Sequence, residues 1–518
     1  MTRTAAEISR GLAPARPARA IRAGERIHVL GVGGAASAGA AIHAAAVGAH
    51  VTACDASGVG HLAPAIAAAG VRVATSHDAG HIVGEGGKAL VDRLAVTKAI
   101  TSVHPDHPEM LAAAGAGIEP EQVQQVIADA AATRGRRLIG VTGTHGKSTT
   151  AGWLLHLLAD AGRDPSGFVG APLPAELAMP SPSVARIGRG RDFVVEADEY
   201  AGNFDPYRPA IGCLISVEWD HPDVFPDEDA VVATYLAWIR AFEGGAERPV
   251  LVANVGDRGV RRVVAALGDW AGRILTVELV AAGRDDRAAV AAADASGGIA
   301  AAVVAEDEAG VELAVAGLAP GRLDRVRLQL AGRHMAADGL VAAGGALAAG
   351  VDAAAIVRGL ASFRGVGRRM EVKGDVGGVV VLDDYAHHPT AIRATYAAVR
   401  QRYPGRRLWA VYEPLTYHRT AAMLDAFAEV LAEADRAAVI DIWAIRDPDT
   451  TITSAKALAD ATTARASFEA LATGSPEASG DRLADLVEPG DVVLVMGGGR
   501  STVAAERLVE RLSERQAR

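Results

Sequence analysis

Short apolar runs alternate with stretches of helical periodicity along most of this chain. Ile27–Gly34 (IHVLGVGG) reads as a strand ending in glycines; an Ala-rich helical stretch follows, then a second strand, His50–Cys54 (HVTAC), running into Asp55. That is a β-α-β unit, and the alternation continues to Ile118. Gln122–Thr133 is predicted helical, and Arg134–Arg137 reads as a basic linker. Arg137–Val141 (RLIGV) opens a second unit, with a helix at Ala151–Ala161 and strands at Phe193–Glu196, Ile211–Val217 and Val250–Ala253. Residues 280–330 alternate apolar and polar positions and predict irregular β-hairpins, followed by a helix over Ala336–Leu347. Phe363–Arg369 (FRGVGRR) is Gly- and Arg-rich and predicts a hinge. Beyond it, strands at Gly378–Leu382, Leu408–Tyr412, Ala437–Ile442 and Val492–Val495, each followed by a helical stretch, make a third α/β unit. The reading is therefore an α/β protein. It has a disordered tail (1–26), a first domain (27–134), a central domain with a mainly parallel sheet (135–363) and a C-terminal domain (364–518). A length of 518 residues suits three domains of ~100–200 residues each.

Composition narrows the class. Hydrophobic residues make up 50% and charged residues 22%, so sizeable cores can be buried and global disorder is excluded. A net charge of −10 argues against a nucleic-acid binder. Cys54 and Cys213 are the two cysteines, too few for a disulfide scaffold, and are read as excluding a Cys-based zinc or iron–sulfur site; they fit a reducing cytosol. No membrane span is predicted. The Arg-rich first 26 residues lack the apolar core of a secretory signal.

Gly143-Thr144-His145-Gly146-Lys147-Ser148, between a strand and a helix, carries the strongest chemical signal. Backbone N–H groups at such a helix start bind phosphate, a Lys neutralises its charge, and a Ser hydroxyl ligates Mg²⁺. Val141 stands where the generic P-loop has its first glycine. Glu196-Ala197-Asp198-Glu199-Tyr200 ends an apolar strand, where carboxylates suit Mg²⁺. Asp220-His221-Pro222-Asp223 follows the next strand and offers a ligand for a second metal. Asp383-Asp384-Tyr385-Ala386-His387-His388-Pro389 lies at another strand end, where a carboxylate can bind ribose hydroxyls or cap the following helix.

Together, TGTHGKST, EADEY, DHPDVF, FRGVGRR and DDYAHHPT resemble the Mur ligase family over nearly the whole chain. Tyr412–Thr420 (YEPLTYHRT) and the N-terminal GVGG strand point to the branch that joins L-alanine to UDP-N-acetylmuramate. The resemblance implies a Rossmann-like first domain for the uridine nucleotide, a central P-loop ATPase and a Rossmann-like C-terminal domain. It implies an ATP- and Mg²⁺-dependent, ADP-forming amide ligase of cytoplasmic peptidoglycan precursor synthesis. Two metal ions are expected, Mn²⁺ serving in place of Mg²⁺, and the protein is expected to be monomer or homodimer. Lys147, Glu196 and His221 are the implied catalytic residues, with Ser148, Glu196 and His221 as metal ligands. Gly143, Thr144, His145, Gly146, Lys147, Ser148, Thr149, His334, Asp338, Arg369, Asp384 and His387 are assigned to ATP. Gly31, Gly33, Gly34, Ser37 and Asp55 are assigned to the sugar nucleotide, and Tyr385 and Arg419 to the amino acid.

Departures from the family pattern bear on substrate. The adenine-binding GRHNxxN stretch reads Gly332–Asp338 without either asparagine; Ser216 replaces an Asn, Leu415 a His, and Arg500 the last residue of a GAGD-like turn. A murein-tripeptide recycling ligase and a Mur-like ligase with another acceptor are therefore rival readings. Remoter ones are an NAD-dependent oxidoreductase, from Gly31-Val32-Gly33-Gly34 followed by Asp55, and a non-catalytic nucleotide-binding regulator.

Overall fold

A computed structural model describes residues 3–280, 286–444, 447 and 449–517. The first sheet contains Arg26–Leu30 (β1), His50–Cys54 (β2), Arg72–Ala74 (β3), Arg93–Val96 (β4) and Glu121–Gln122 (β5). All are parallel, in the order β3-β2-β1-β4-β5. The central sheet has ten strands: Arg137–Thr142 (β6), Ser166–Leu173 (β7), Ser183–Arg186 (β8), Asp192–Glu196 (β9), Ile211–Leu214 (β10), Val250–Asn254 (β11), Arg273–Val280 (β12), Ile299–Asp307 (β13), Gly310–Ala316 (β14) and Leu323–Leu328 (β15). Their order is β15-β14-β13-β12-β11-β10-β6-β9-β7-β8, parallel except where β14, β15 and β8 pair at the two edges. The third sheet holds Glu371–Val376 (β16), Val379–Asp384 (β17), Arg407–Tyr412 (β18), Arg436–Ile440 (β19), Leu471–Gly474 (β20) and Asp491–Met496 (β21), in the order β16-β17-β21-β18-β19-β20. Only β16 runs antiparallel to its neighbour. Strands such as β10, β17 and β21 read as continuous apolar runs because helices cover both faces of a parallel sheet.

Strand β6 has β9 on one side and β10 on the other. Chain connections diverge there, opening a crevice at the carboxyl ends of the strands. The helix that follows, Lys147–Asp160, is apolar almost all round. Trp153, Leu154, Leu155, Leu157 and Leu158 are fully buried, as such a helix requires. Trp153 stacks on Phe363 with ring centroids 4.7 Å apart, which anchors the P-loop helix beneath the third sheet's connecting segment. Among the described residues, no helix is long and apolar enough to cross a membrane.

Two expectations are corrected. The hairpin region is regular: β13, β14 and β15 extend the central sheet, after a helix over Asp286–Ser296; positions 281–285 lie outside the described residues. The N-terminal segment is packed and does not form a disordered tail, its first two residues lying outside the described ones. Ile8 and Ile21 are buried. Arg16 pairs with Asp129 at 2.6 Å and Glu121 at 3.0 Å, and Arg19 with Glu25 at 2.7 Å. The arginines that suggested a solvated coil are counter-ions of buried carboxylates, Arg16 reaching partners more than a hundred positions away and Arg19 one only six positions on.

Candidate active site

Backbone geometry at the P-loop explains its glycines. Gly143 has φ +148° and Gly146 φ +79°, a region that residues with a Cβ rarely adopt. A Cβ on Gly146 would lie 2.4 Å from Asp338 Oδ1. The loop is tied to the segment after β10. Thr144 N–H donates to Ser216 C=O (3.0 Å), His145 N–H to Ser216 Oγ (2.9 Å), and Glu218 N–H to Thr144 Oγ1 (2.9 Å). Ser216, one of the departures, thus serves as a loop anchor.

Lys147 Nζ donates to Gly143 C=O at 2.8 Å and to Glu199 Oε2 at 2.9 Å, with Asp198 at 3.6 Å. Burial works against its charge, but Glu199 and Asp198 outweigh it and raise its pKa. Asp198, Glu199 and His221 converge, their ligand atoms within 4.8 Å of one another. Glu196 lies outside that cluster but lines the same cavity, with its Oε2 accepting from Gly170 N–H at 2.6 Å. Just beyond these acids the chain turns sharply, with Ala201 at φ +48°. His221 itself has φ +55°, and Met370 and Thr416 on the facing unit have φ +52° and +58°. Each such residue costs about 1–3 kcal/mol, and strain of this kind gathers at functional sites.

The third unit closes over this centre. Arg369 Nη2 donates to Ser148 Oγ at 3.1 Å, and its guanidinium lies 4.7 Å from the Tyr385 ring centroid. His145 and His388 face each other at 4.6 Å between ring centroids, with Glu218 Oε2 3.0 Å from His145 Nε2. Asp384 is buried and accepts from the N–H groups of Met370 (2.8 Å) and Ala386 (2.7 Å). Burial raises its pKa against the pull of Arg369. Asp338, also buried, is raised well above the usual carboxylate range for the same reason. His387 Nδ1–H donates to Tyr385 C=O at 2.8 Å, which leaves Nε2 as an acceptor. Burial and the charge of Arg419 keep its ring neutral. Arg419 forms a buried ion pair with Asp220. Burial opposes the Asp220 charge, yet Arg419 and His221 hold it well below the ordinary range.

One cavity of about 560 Å³ is walled by Thr144–Thr149, Glu196, His221, His334, Asp338, Arg369, Asp384, Tyr385, His387 and Arg419. Gly143 anchors the loop behind it. The expected sugar-nucleotide residues do not form its wall; Ala35 and Ala36, from the same first-unit turn, do. Asp55 instead fixes that turn, accepting from Gly33 N–H at 2.8 Å and Ser57 N–H at 2.9 Å. Ser37 is buried, and its Oγ has no hydrogen-bond partner. Sequence reasoning also passed over Lys98. This lysine lines the cavity from the first unit and donates to Ala201 C=O at 2.6 Å; burial lowers its pKa to about 8. A Thr-Lys pair directly after the apolar run of β4 was the available signal.

Comparison with known proteins gives the context of this geometry. Residues 368–499 match the family described as Mur ligase, glutamate ligase domain. The UDP-N-acetylmuramate–L-alanine ligase of Kineococcus radiotolerans is 34% identical over 95% of this chain and 97% of its own. That of Mycobacterium avium is 32% identical over 95% and 97%. Among solved structures, the UDP-N-acetylmuramate-alanine ligase of Thermotoga maritima aligns with a TM-score of 0.73 at 20% identity, over 95% of this chain and 99% of that one. The murein peptide ligase of Psychrobacter arcticus aligns at 0.70 and 24%, over 94% and 99%. Identity at this level across almost the full length of both chains means that the protein belongs to the Mur ligase family, whose members are ATP-dependent, ADP-forming ligases.

Proposed function

We propose that this chain joins an amino acid, L-alanine by preference, to the carboxylate of UDP-N-acetylmuramate at the expense of ATP. A carboxylate is too poor an electrophile for an amine. The γ-phosphoryl group passes to it, giving an acyl phosphate and ADP. The amine then attacks the acyl carbon, and phosphate leaves as the amide forms. Such chemistry asks the protein chiefly for positioning and charge neutralisation.

The observation that carries this reading is the meeting in one cavity of Lys147, the Asp198–Glu199–His221 cluster and Arg369 from the third unit. Lys147 and the loop N–H groups hold the β/γ-phosphates, and Arg369 reaches the same phosphates from the opposite side. The oxygen-rich donor set of Ser148, Glu196, Asp198 and Glu199, with His221, fits Mg²⁺; bound there, the ion supplies charge neutralisation on the phosphates. Two ions can be shared between the Ser148 and His221 ends of the set, and Mn²⁺ suits the same donors. Asp384, His334 and Asp338 flank the nucleoside, and His387 presents a neutral ring to the phosphates. Gly31, Gly33, Gly34 and Asp55 shape the sugar-nucleotide turn. Tyr385 and Arg419 face the amino acid, Arg419 exchanging Asp220 for a substrate carboxylate.

Phosphate release from ATP, measured with UDP-N-acetylmuramate against a panel of amino acids and L-Ala-γ-D-Glu-meso-diaminopimelate, tests this. Release should require both co-substrates and be fastest with L-alanine. A preference for the tripeptide would transfer the chain to a recycling role. Absence of any acceptor-stimulated release would sink the ligase reading.

A further inference from the structure

The first unit holds a second set of metal-ligating groups, remote from the phosphate chemistry. His28 (β1), Cys54 (the last residue of β2), His81 (in the short turn Ala79–His81) and Glu109 (in the helix Pro108–Gly115) bring their ligand atoms within 4.8 Å of one another. Glu109 lies 3.2 Å from Cys54 Sγ, 3.2 Å from His28 Nε2 and 3.0 Å from His81 Nδ1, and His28 Nε2 is 3.4 Å from Sγ. Zinc bonds of ~2.0–2.3 Å in a tetrahedron give ligand–ligand edges of roughly 3.3–3.8 Å, close to these spacings. His28, Cys54 and Glu109 are fully buried, while His81 is about a quarter exposed and leaves an entry path. His77 Nδ1, 3.2 Å from Sγ, stands at the rim as a further donor.

From this geometry we infer that His28, Cys54, His81 and Glu109 form a structural site for a thiophilic divalent cation, Zn²⁺ above all. The donor set mixes imidazole, thiolate and carboxylate, which selects zinc over the hard Mg²⁺ of the phosphate site. Binding deprotonates Cys54, releasing its proton to solvent. Thiolate and carboxylate then balance the two charges of the ion. Orientation is built in: Thr52, paired with His28 across the strands, bonds His28 Nδ1 through Oγ1 at 2.8 Å, and Asp78 N–H donates to Glu109 at 3.0 Å. Outer contacts of this kind fix ligand rings in metal sites. With four protein ligands the site is closed, so its role is to clamp two strands, a loop and a helix. It sits one residue before Asp55, the carboxylate that holds the Gly33 turn. Counting cysteines alone does not test for such a site, since one thiolate among histidines can complete it.

The test does not depend on ligase activity. Full-length protein from zinc-supplemented cells should retain one equivalent of zinc after dialysis, read by elemental mass spectrometry. Co²⁺ reconstitution should give a thiolate-to-cobalt charge-transfer band, which no oxygen-ligated phosphate site can produce. Cys54→Ser should abolish that band, and Thr52→Val should weaken Zn²⁺ binding by about tenfold or more. Should Cys54→Ser fail to fold, the wild-type cobalt spectrum and the zinc dependence of the thermal midpoint still decide. Zinc-free protein with no cobalt band would overturn the site, as would a band that survives Cys54→Ser, since its sulfur would then be the buried Cys213.

Discussion

Lys147 Nζ lies 2.9 Å from Glu199 Oε2, so the P-loop cation is held by an internal carboxylate. In the proposed mechanism an incoming polyphosphate would compete with that carboxylate, and a cation held by Glu199 would free the lysine for the γ-phosphate. Lys147→Ala should leave the fold intact and lower turnover by about 10²-fold or more. Glu199→Gln should likewise slow turnover and raise the Mg²⁺ concentration needed for half-maximal rate. Near-normal phosphate release from purified Lys147→Ala would remove Lys147 from the mechanism.

Arg369 bridges to Ser148 across the connecting segment after Phe363. A hydrogen bond to a charged group contributes about 1.5–3 kcal/mol. Arg369→Ala should therefore raise KM for ATP by about tenfold or more. Small-angle scattering should show that ATP analogue and sugar nucleotide compact the wild-type protein and compact the variant less. Equal compaction of both would show that Arg369 does not hold the units together.

Acid should loosen the protein before it reaches the carboxylate range. Burial lowers His43 and His334 to about 4 from an ordinary 6.5. Their unfolded forms bind protons more readily, so stability is full above about pH 6.5 and falls as pH drops toward 4. His43 also donates to Gly167 C=O at 3.0 Å, joining the first unit to the central sheet. Denaturation at pH 7 and pH 5 should differ by on the order of 1 kcal/mol per buried histidine. His43→Gln should flatten that dependence, and an unchanged slope would assign it elsewhere.

Arg16→Ala should destabilise the first unit by about 1–3 kcal/mol, because Asp129 keeps Arg93 (2.5 Å) but loses one of two cations. Thermal unfolding followed by hydrogen exchange in the helix Val123–Thr133 would register the loss. Unaltered protection there would mean that the N-terminal segment is packed without contributing.

The loop geometry of the proposed phosphate site was legible because backbone constraint writes itself locally: Gly143 and Gly146 take positive φ, and Lys147 follows them. The acids were less legible. EADEY offers three carboxylates within five residues, and only the folded chain shows that Glu199 meets Lys147 while Glu196 accepts from Gly170 N–H. Arg16 was misread because its partner is Asp129, and no local window contains both. His28, Cys54, His81 and Glu109 follow one another at intervals of roughly a β-α unit, a spacing that only the folded sheet turns into proximity.

The N-terminal segment has one more consequence. Arg3 N–H donates to Asp223 C=O at 2.7 Å, Ile8 C=O accepts from Thr101 Oγ1 at 2.6 Å, and Ile8 packs against Tyr200 and Ala201. Tyr200 in turn sets its ring 4.9 Å from His221 and its hydroxyl 3.0 Å from Asp223. The opening residues are thus a strap running from the first unit to the underside of the phosphate centre. A gene trimmed to begin at the first predicted strand would lose these contacts beneath Tyr200 and Asp223, and kinetics measured on its product would describe a different catalyst.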